Sequence, residues 1–274
     1  MQNTKRVASS AVEHSAFNRL VLGSNPRRPI KTYWYRKIDL PSPVYGLALH
    51  TSSPQLGLAL SNFSDDSRQQ TWDLDRDLSN LFHPYLKQFL APQKWADLAF
   101  LATAKGPGSF TSTRIGIVTA RTLAQQLQLP IFTVSSLAAF AWSQRDFYPL
   151  DTHLALEMPA TRGQLYVGIY RGNRVYLADS LMTLEQWQQT LENLTIPYQR
   201  LATPSYLGIN ALDILDLAYF NWQTGKRPHW SEALPFYGMW LGFAAKSFSW
   251  GQGVGCRVSS DYLFPAIVRG WYAR

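Results

Sequence analysis

Lys105–Gly116 reads KGPGSFTSTRIG and joins an apolar run, Leu98–Ala104, to a helix-forming segment, Thr113–Leu127. Gly106 and Gly108 flank Pro107, so the backbone can turn sharply and enter conformations closed to residues with a Cβ. Thr111 and Ser112 place hydroxyls where the helix start has free N–H groups. A strand, a glycine turn and a helix N-terminus form a natural cradle for an anion, which makes Gly106, Gly108, Ser109 and Thr111 its candidate residues. The same residues also suit a tight, well-capped turn and nothing more. No Gly-Lys-Ser/Thr follows at Walker spacing, and the stretch is not GxGxxG.

Outward from this turn the hydrophobic pattern predicts an α/β chain. Val44–His50 has strand length, and a turn at Ser52–Gln55 leads into Gly57–Leu60 as a hairpin. Arg68–Leu74 reads as a third strand. Leu78, Leu81, Phe82, Tyr85, Leu86 and Phe89 recur at helical spacing across Leu78–Leu90, and Pro92 ends that helix. Leu98–Ala104, the helix at 113–127 and Ile131–Val134 follow, and Ser135 or Ser136 caps a helix through Trp142. The second half repeats the theme. Leu154–Glu157, Gln164–Tyr170 and Arg174–Ala178 read as strands, with Gly172-Asn173 as a hairpin turn. Thr183 and Gln186 form a capping box for a helix at Thr183–Leu194, and Ile209–Trp222 is a last helix. Two successive units of three strands and a helix indicate an internal duplication.

The segment GPGSFTSTRIG is similar to the GPGSFTGLRIG segment of the TsaB (YeaZ) family, the accessory subunits of the bacterial complex that forms threonylcarbamoyladenosine in tRNA. Leu47–Ser52 (LALHTS) resembles the family's LALDTS, and Pro130–Leu137 (PIFTVSSL) extends the match. The resemblance is strong over residues 44–142 and weaker to about residue 237. It implies a duplicated actin-like, Hsp70-like (ribonuclease H-like) two-lobe fold with a reduced second lobe. The lobes would span residues 44–147 and 148–237, between a basic extension at 1–43 and a C-terminal extension at 238–274. It implies docking onto a TsaD-type transferase, a TsaE-type ATPase in the assembled complex, tRNA contact through the partner, and a homodimer when the chain is alone. It implies no cofactor and a cytoplasmic location, with organellar import if residues 1–43 are genuine. Because the family pattern begins near Val44, an upstream start codon accounts for that extension equally well.

Composition narrows the alternatives. The net charge of +8 resides in the ends: residues 1–43 hold eight basic and two acidic side chains, and residues 236–274 hold four and one. A tail of that kind is either a solvated segment or a basic arm toward RNA. The single Cys256 excludes an internal disulfide framework and a cysteine zinc cluster. Gly238–Trp250 is too short for a membrane span and carries Lys246.

The helix after the glycine turn is apolar over more than one face. Ile115, Val118 and Thr122 line one side; Gly116, Ala120, Ala124 and Leu127 make a small-residue stripe on another. The stripe is either buried in its own chain or covered by a partner. The family resemblance favours the partner, which makes Leu78, Leu81, Phe82, Tyr85, Gly116, Ala120, Ala124 and Leu127 the expected interface. His50 stands where most relatives carry Asp. A neutral imidazole is a poor ligand for hard Mg²⁺, so the substitution argues against ATP hydrolysis. The five histidines (14, 50, 83, 153, 229) include no pair at helical ligand spacing and no HExxH. No catalytic or metal residues are expected. The rival reading is a nucleotide-dependent ATPase or small-molecule kinase of the same fold.

Overall fold

The computed structural model describes residues 45–236 and 238; the extensions read at 1–43 and 238–274, apart from Gly238, and Cys256 lie outside the described residues. Two mixed sheets carry the chain. The first has the strand order β3 (Ser67–Asp73), β2 (Gln55–Ser61), β1 (Tyr45–His50), β4 (Leu98–Ala104), β5 (Ile131–Val134), and the second β8 (Arg174–Met182), β7 (Leu165–Arg171), β6 (His153–Pro159), β9 (Tyr198–Ala202). Strands β1, β2 and β3 form an antiparallel meander, and β4 joins β1 in parallel. Strand β5 then adds in parallel to β4. In the second sheet β6, β7 and β8 repeat the meander, and β9 joins β6 in parallel. A helix precedes the parallel strand in both halves: α1 (Leu78–Leu90) and α4 (Leu184–Glu192). The second sheet stops one strand earlier, so the duplicated actin-like fold has a reduced second lobe.

Burial explains which residues build each layer. Strands β1 and β4 are apolar on both sides, and helices cover both faces of the first sheet. One face, with Leu47, Leu49, Leu58 and Leu101, packs against Phe82 and Leu86 of α1 and Ala120 and Ala124 of α2 (Phe110–Leu127). The other face, with Ala48, Ala59, Phe100 and Ala102, meets α3 (Ser136–Ser143) and α5 (Ala211–Gln223). Helix α3 is apolar all round because it serves two cores: Ala139 and Trp142 face the first sheet, Leu137 and Ala141 the second. Helix α5 follows the second sheet in sequence yet packs on the first, through Ile214, Leu215 and Ala218. Its burial ties the halves together. Among the described residues no helix is long and apolar enough to cross a membrane.

Local chemistry accounts for most element ends. Thr183 and Gln186 form the expected capping box on α4. Ser135 rather than Ser136 caps α3, accepting the Ala138 N–H at 3.1 Å. Arg68 of β3 closes the C-terminus of α1, donating from Nη2 to the carbonyls of Phe89 (3.1 Å), Leu90 (2.8 Å) and Ala91 (3.1 Å). A guanidinium there satisfies carbonyls that have no helical partner and sits at the negative end of the helix dipole. Replacing Arg68 with Ala should cost about 2 kcal/mol, the scale of charge-assisted hydrogen bonds to otherwise unpaired acceptors. A urea midpoint unchanged within error would show that water replaces the cap.

Candidate functional site

The parallel strands β1 and β4 end side by side, and the glycine turn and the start of α2 close over them. Gly106 (φ +94°) and Gly108 (φ +152°) both take backbone conformations that residues with a Cβ rarely adopt. A Cβ at Gly108 would lie 2.0 Å from the Ser52 carbonyl oxygen. That carbonyl accepts the Ser109 N–H at 2.8 Å. One amide of the expected cradle is therefore already taken by the β1 end.

Helix α2 begins at Phe110, three residues before the expected start. Thr111 and Ser112 lie inside its first turn and do not cap it. Ser109 occupies the N-cap position without a side-chain cap bond, and its hydroxyl donates to Ser112 Oγ at 2.9 Å. The reason is the turn geometry. Gly108 hands the chain to Ser109 at φ −59°, ψ 120°, and the helix continues directly from it.

The small stripe of α2 proves to be core. Ala120 and Ala124 are completely buried among Leu47, Leu49 and Leu101, and Gly116 is buried beside Thr51. A Cβ at Gly116 would stand 2.1 Å from Thr51 Oγ1. Small residues here let α2 lie close against the end of β1. They cannot meet a partner in this fold, nor can Leu78 and Phe82, which lie on the buried face of α1. Tyr85 is half-buried and stacks on Trp72 at 4.9 Å, and Leu127 is half-buried against the same core. Of the expected interface set only Leu81 is exposed, at 36%. The solvent face of α2 is the one carrying Phe110 (56% exposed), Arg114 and Val118 (61%) at successive four-residue steps, with exposed Thr122 one step further, whereas Ile115 is half-buried against the core. Arg114 lies over the Phe110 ring at 3.7 Å.

His50 ends β1 fully buried, with neither ring nitrogen hydrogen-bonded. Burial pushes its pKa down to about 3, so the ring is neutral. Buried hydroxyls of Thr51, Ser52, Thr103, Thr113 and Ser136, on the ends of β1 and β4 and the starts of α2 and α3, likewise lack protein partners. A second polar group connects the sheets: Ser135 Oγ lies 3.2 Å from Tyr170 Oη, and Tyr170 donates to Asp179. Burial raises both the Tyr170 and the Asp179 pKa. Nothing local in the sequence marks this group, because its members come from three elements. Of the exposed stripe of α2 only Val118 stood on a face read from the sequence; Phe110 lay before the expected start at Thr113, and its four-residue steps to Arg114 and Val118 are the signal that extends the helix to it. Among the described residues no three His, Cys, Asp or Glu side chains gather to hold a metal ion.

Comparison with known proteins bears on this geometry. The chain is 34% identical over 160 residues to the tRNA threonylcarbamoyladenosine biosynthesis protein TsaB of Bacillus subtilis, covering 55% of this chain and 67% of that one. The chain belongs to the TsaB family. It is also 32% identical over 119 residues to TsaB of Buchnera aphidicola from Acyrthosiphon pisum, covering 40% of this chain and 53% of that one, about half that relative's length. Residues 75–210 match the family model for TsaD, tRNA N6-adenosine threonylcarbamoyltransferase. Among solved structures, YeaZ from Pseudomonas aeruginosa superposes with a TM-score of 0.57 at 25% identity, over 70% of this chain and all of that one. At the strand end where the resemblance to the family implies Asp, this chain carries the buried, neutral His50.

Proposed function

We propose that this chain is a non-catalytic subunit in tRNA threonylcarbamoyladenosine formation, acting by docking onto a TsaD-type transferase. Its TsaB family membership supports the pathway. The observation that carries the docking surface is the exposed α2 stripe of Phe110, Arg114 and Val118. Large apolar side chains aligned on the solvent face of a helix mark an interaction surface. Docking resides in the first lobe, residues 44–147, and the second lobe spans residues 148–237. A TsaE-type ATPase would join the assembly, and a homodimer would use the same face when the partner is absent. The neutral, buried His50 favours this reading over an ATPase or kinase, because a carboxylate at that strand end is what would hold Mg²⁺ or its water.

Co-purification with the TsaD-type subunit tests the proposal. Val118→Glu should leave the fold intact, since the side chain points to solvent, and should weaken capture of that subunit at least 100-fold. A Glu there would place an unpaired charge in the centre of the contact. Capture at wild-type affinity by both Val118→Glu and Phe110→Ala would remove α2 from the interface.

A further inference from the structure

The second sheet carries a solvent-facing row outside the docking lobe. Its strand register pairs Tyr198 of β9 with His153 of β6, His153 with Arg171 of β7, and Arg171 with Arg174 of β8. Residues paired across strands project to the same face, so these four side chains form one line. At a strand spacing of about 4.8 Å the line is roughly 15 Å long. The ladder slips between Ile169 and Tyr170, and Tyr176 packs its ring edge-on against His153 with centroids 5.1 Å apart.

This end of the sheet is not used by the core. On the same face Trp187 and Leu191 of α4 cover Ala155, Val167 and Ile169, one strand step inward. Tyr176 is 52% and Tyr198 38% exposed, and both arginines are exposed. Among the described residues neither Arg171 nor Arg174 forms an ion pair, and Asp151, two residues before His153, does not neutralise them. Arg200 on β9 is different, because Glu157 holds it.

We infer that Tyr176, Tyr198, His153, Arg171 and Arg174 form a contact surface for an RNA strand with unpaired bases. Guanidinium groups without a carboxylate partner match phosphate oxygens in charge and in the planar geometry of their donors. Exposed tyrosines beside them offer flat faces on which unstacked bases sit. A purely acidic protein segment would use the arginines and leave both rings idle. The inference rests on the proposed role only in requiring that RNA be present in the assembly. It places part of the RNA contact on this chain rather than on the transferase alone.

The test uses the full chain with a fluorescently labelled unmodified tRNA transcript and, separately, a labelled single-stranded RNA of about 12 nucleotides, a length within single-strand site sizes. Binding is read by anisotropy across a salt series. Both basic extensions are present in every variant, so they cancel in the comparison. Tyr176→Ala with Tyr198→Ala should weaken both RNAs by tenfold or more at fixed salt, with little change in salt dependence. Arg171→Gln with Arg174→Gln should lower the slope of log affinity against log salt by about 1.4, two phosphate contacts on a single strand. Both double variants should still capture the TsaD-type subunit, whereas Val118→Glu should lose the subunit and keep the RNA. Wild-type affinity and slope in both double variants would overturn the inference. So would equal binding of a polyglutamate peptide that is insensitive to the tyrosine substitutions, which would reassign the row to an acidic protein segment.

Discussion

Ala120→Glu is expected to leave the chain unfolded. Ala120 has no exposed surface and sits with Ala124 against the leucines of β1 and β4, one α2 turn beyond the Gly116–Thr51 contact. Glutamate adds a methylene and a carboxylate to a closed space, and the surrounding leucines offer that carboxylate no partner. Overpacking costs roughly 1–3 kcal/mol and a buried unpaired polar or charged group several more. The total is comparable to the roughly 5–15 kcal/mol that holds a domain folded. Thr122→Glu, two residues along on the exposed face of the same helix, should change stability by no more than about 0.5 kcal/mol. Circular dichroism and a thermal melt separate the two. A cooperative Ala120→Glu melt within a few degrees of wild type would mean that α2 does not pack as described.

The second large effect is in pH. His50 has a pKa of about 3 in the folded chain against 6.5 when exposed, so the unfolded state takes up its proton first as pH falls. The stability that depends on neutral His50 is complete above pH 6.5 and is lost toward pH 3, at about 1.4 kcal/mol per pH unit. Asp213 acts oppositely. Burial, opposed by Arg145 at 2.6 Å and reinforced by Asp216, raises its pKa from 3.8 to about 6, so the folded state binds that proton first and is stabilised as pH falls from 6 toward 4. In the wild type the two contributions largely cancel between pH 6 and 4. Asp213→Asn should uncover the His50 loss, roughly 2–3 kcal/mol over that window, and His50→Gln should uncover a gain of about 2 kcal/mol. Urea unfolding at several pH values reads both as differences from wild type, which removes the background of other carboxylates. Parallel curves for wild type and His50→Gln would show that His50 keeps access to water or a partner when folded.

The difference between the expected and observed α2 faces shows where sequence reading gives way to structure. The sequence showed a helix apolar on two sides and could not tell which side the chain itself would cover. Small residues suit close approach of any backbone or strand, and in the folded chain the approaching element is β1, with Thr51 against Gly116. That contact joins residues more than sixty positions apart, so no local pattern carries it. The same limit explains β9 and α5. Tyr198–Ala202 is a short, largely exposed strand with no clear alternation, and it forms because β6 offers it a parallel ladder. Helix α5 was readable as a helix, but only tertiary packing places it on the first sheet rather than the second.

What the sequence by itself determined was whatever depends on neighbouring residues. Periodicity gave α1 and β4 with the observed ends and the repeated meander-and-helix order. Glycine and proline marked the turn at 105–109, side-chain oxygens marked the caps of α3 and α4, and the motifs around that turn placed the chain among its relatives. The tertiary structure alone decided which faces are buried, that His50 is neutral, that Ser52 occupies one amide of the glycine turn, and that Tyr198, His153, Arg171 and Arg174 fall in one row. Each of those facts is set by contacts between distant segments, whose burial and register exist only once the sheets have formed.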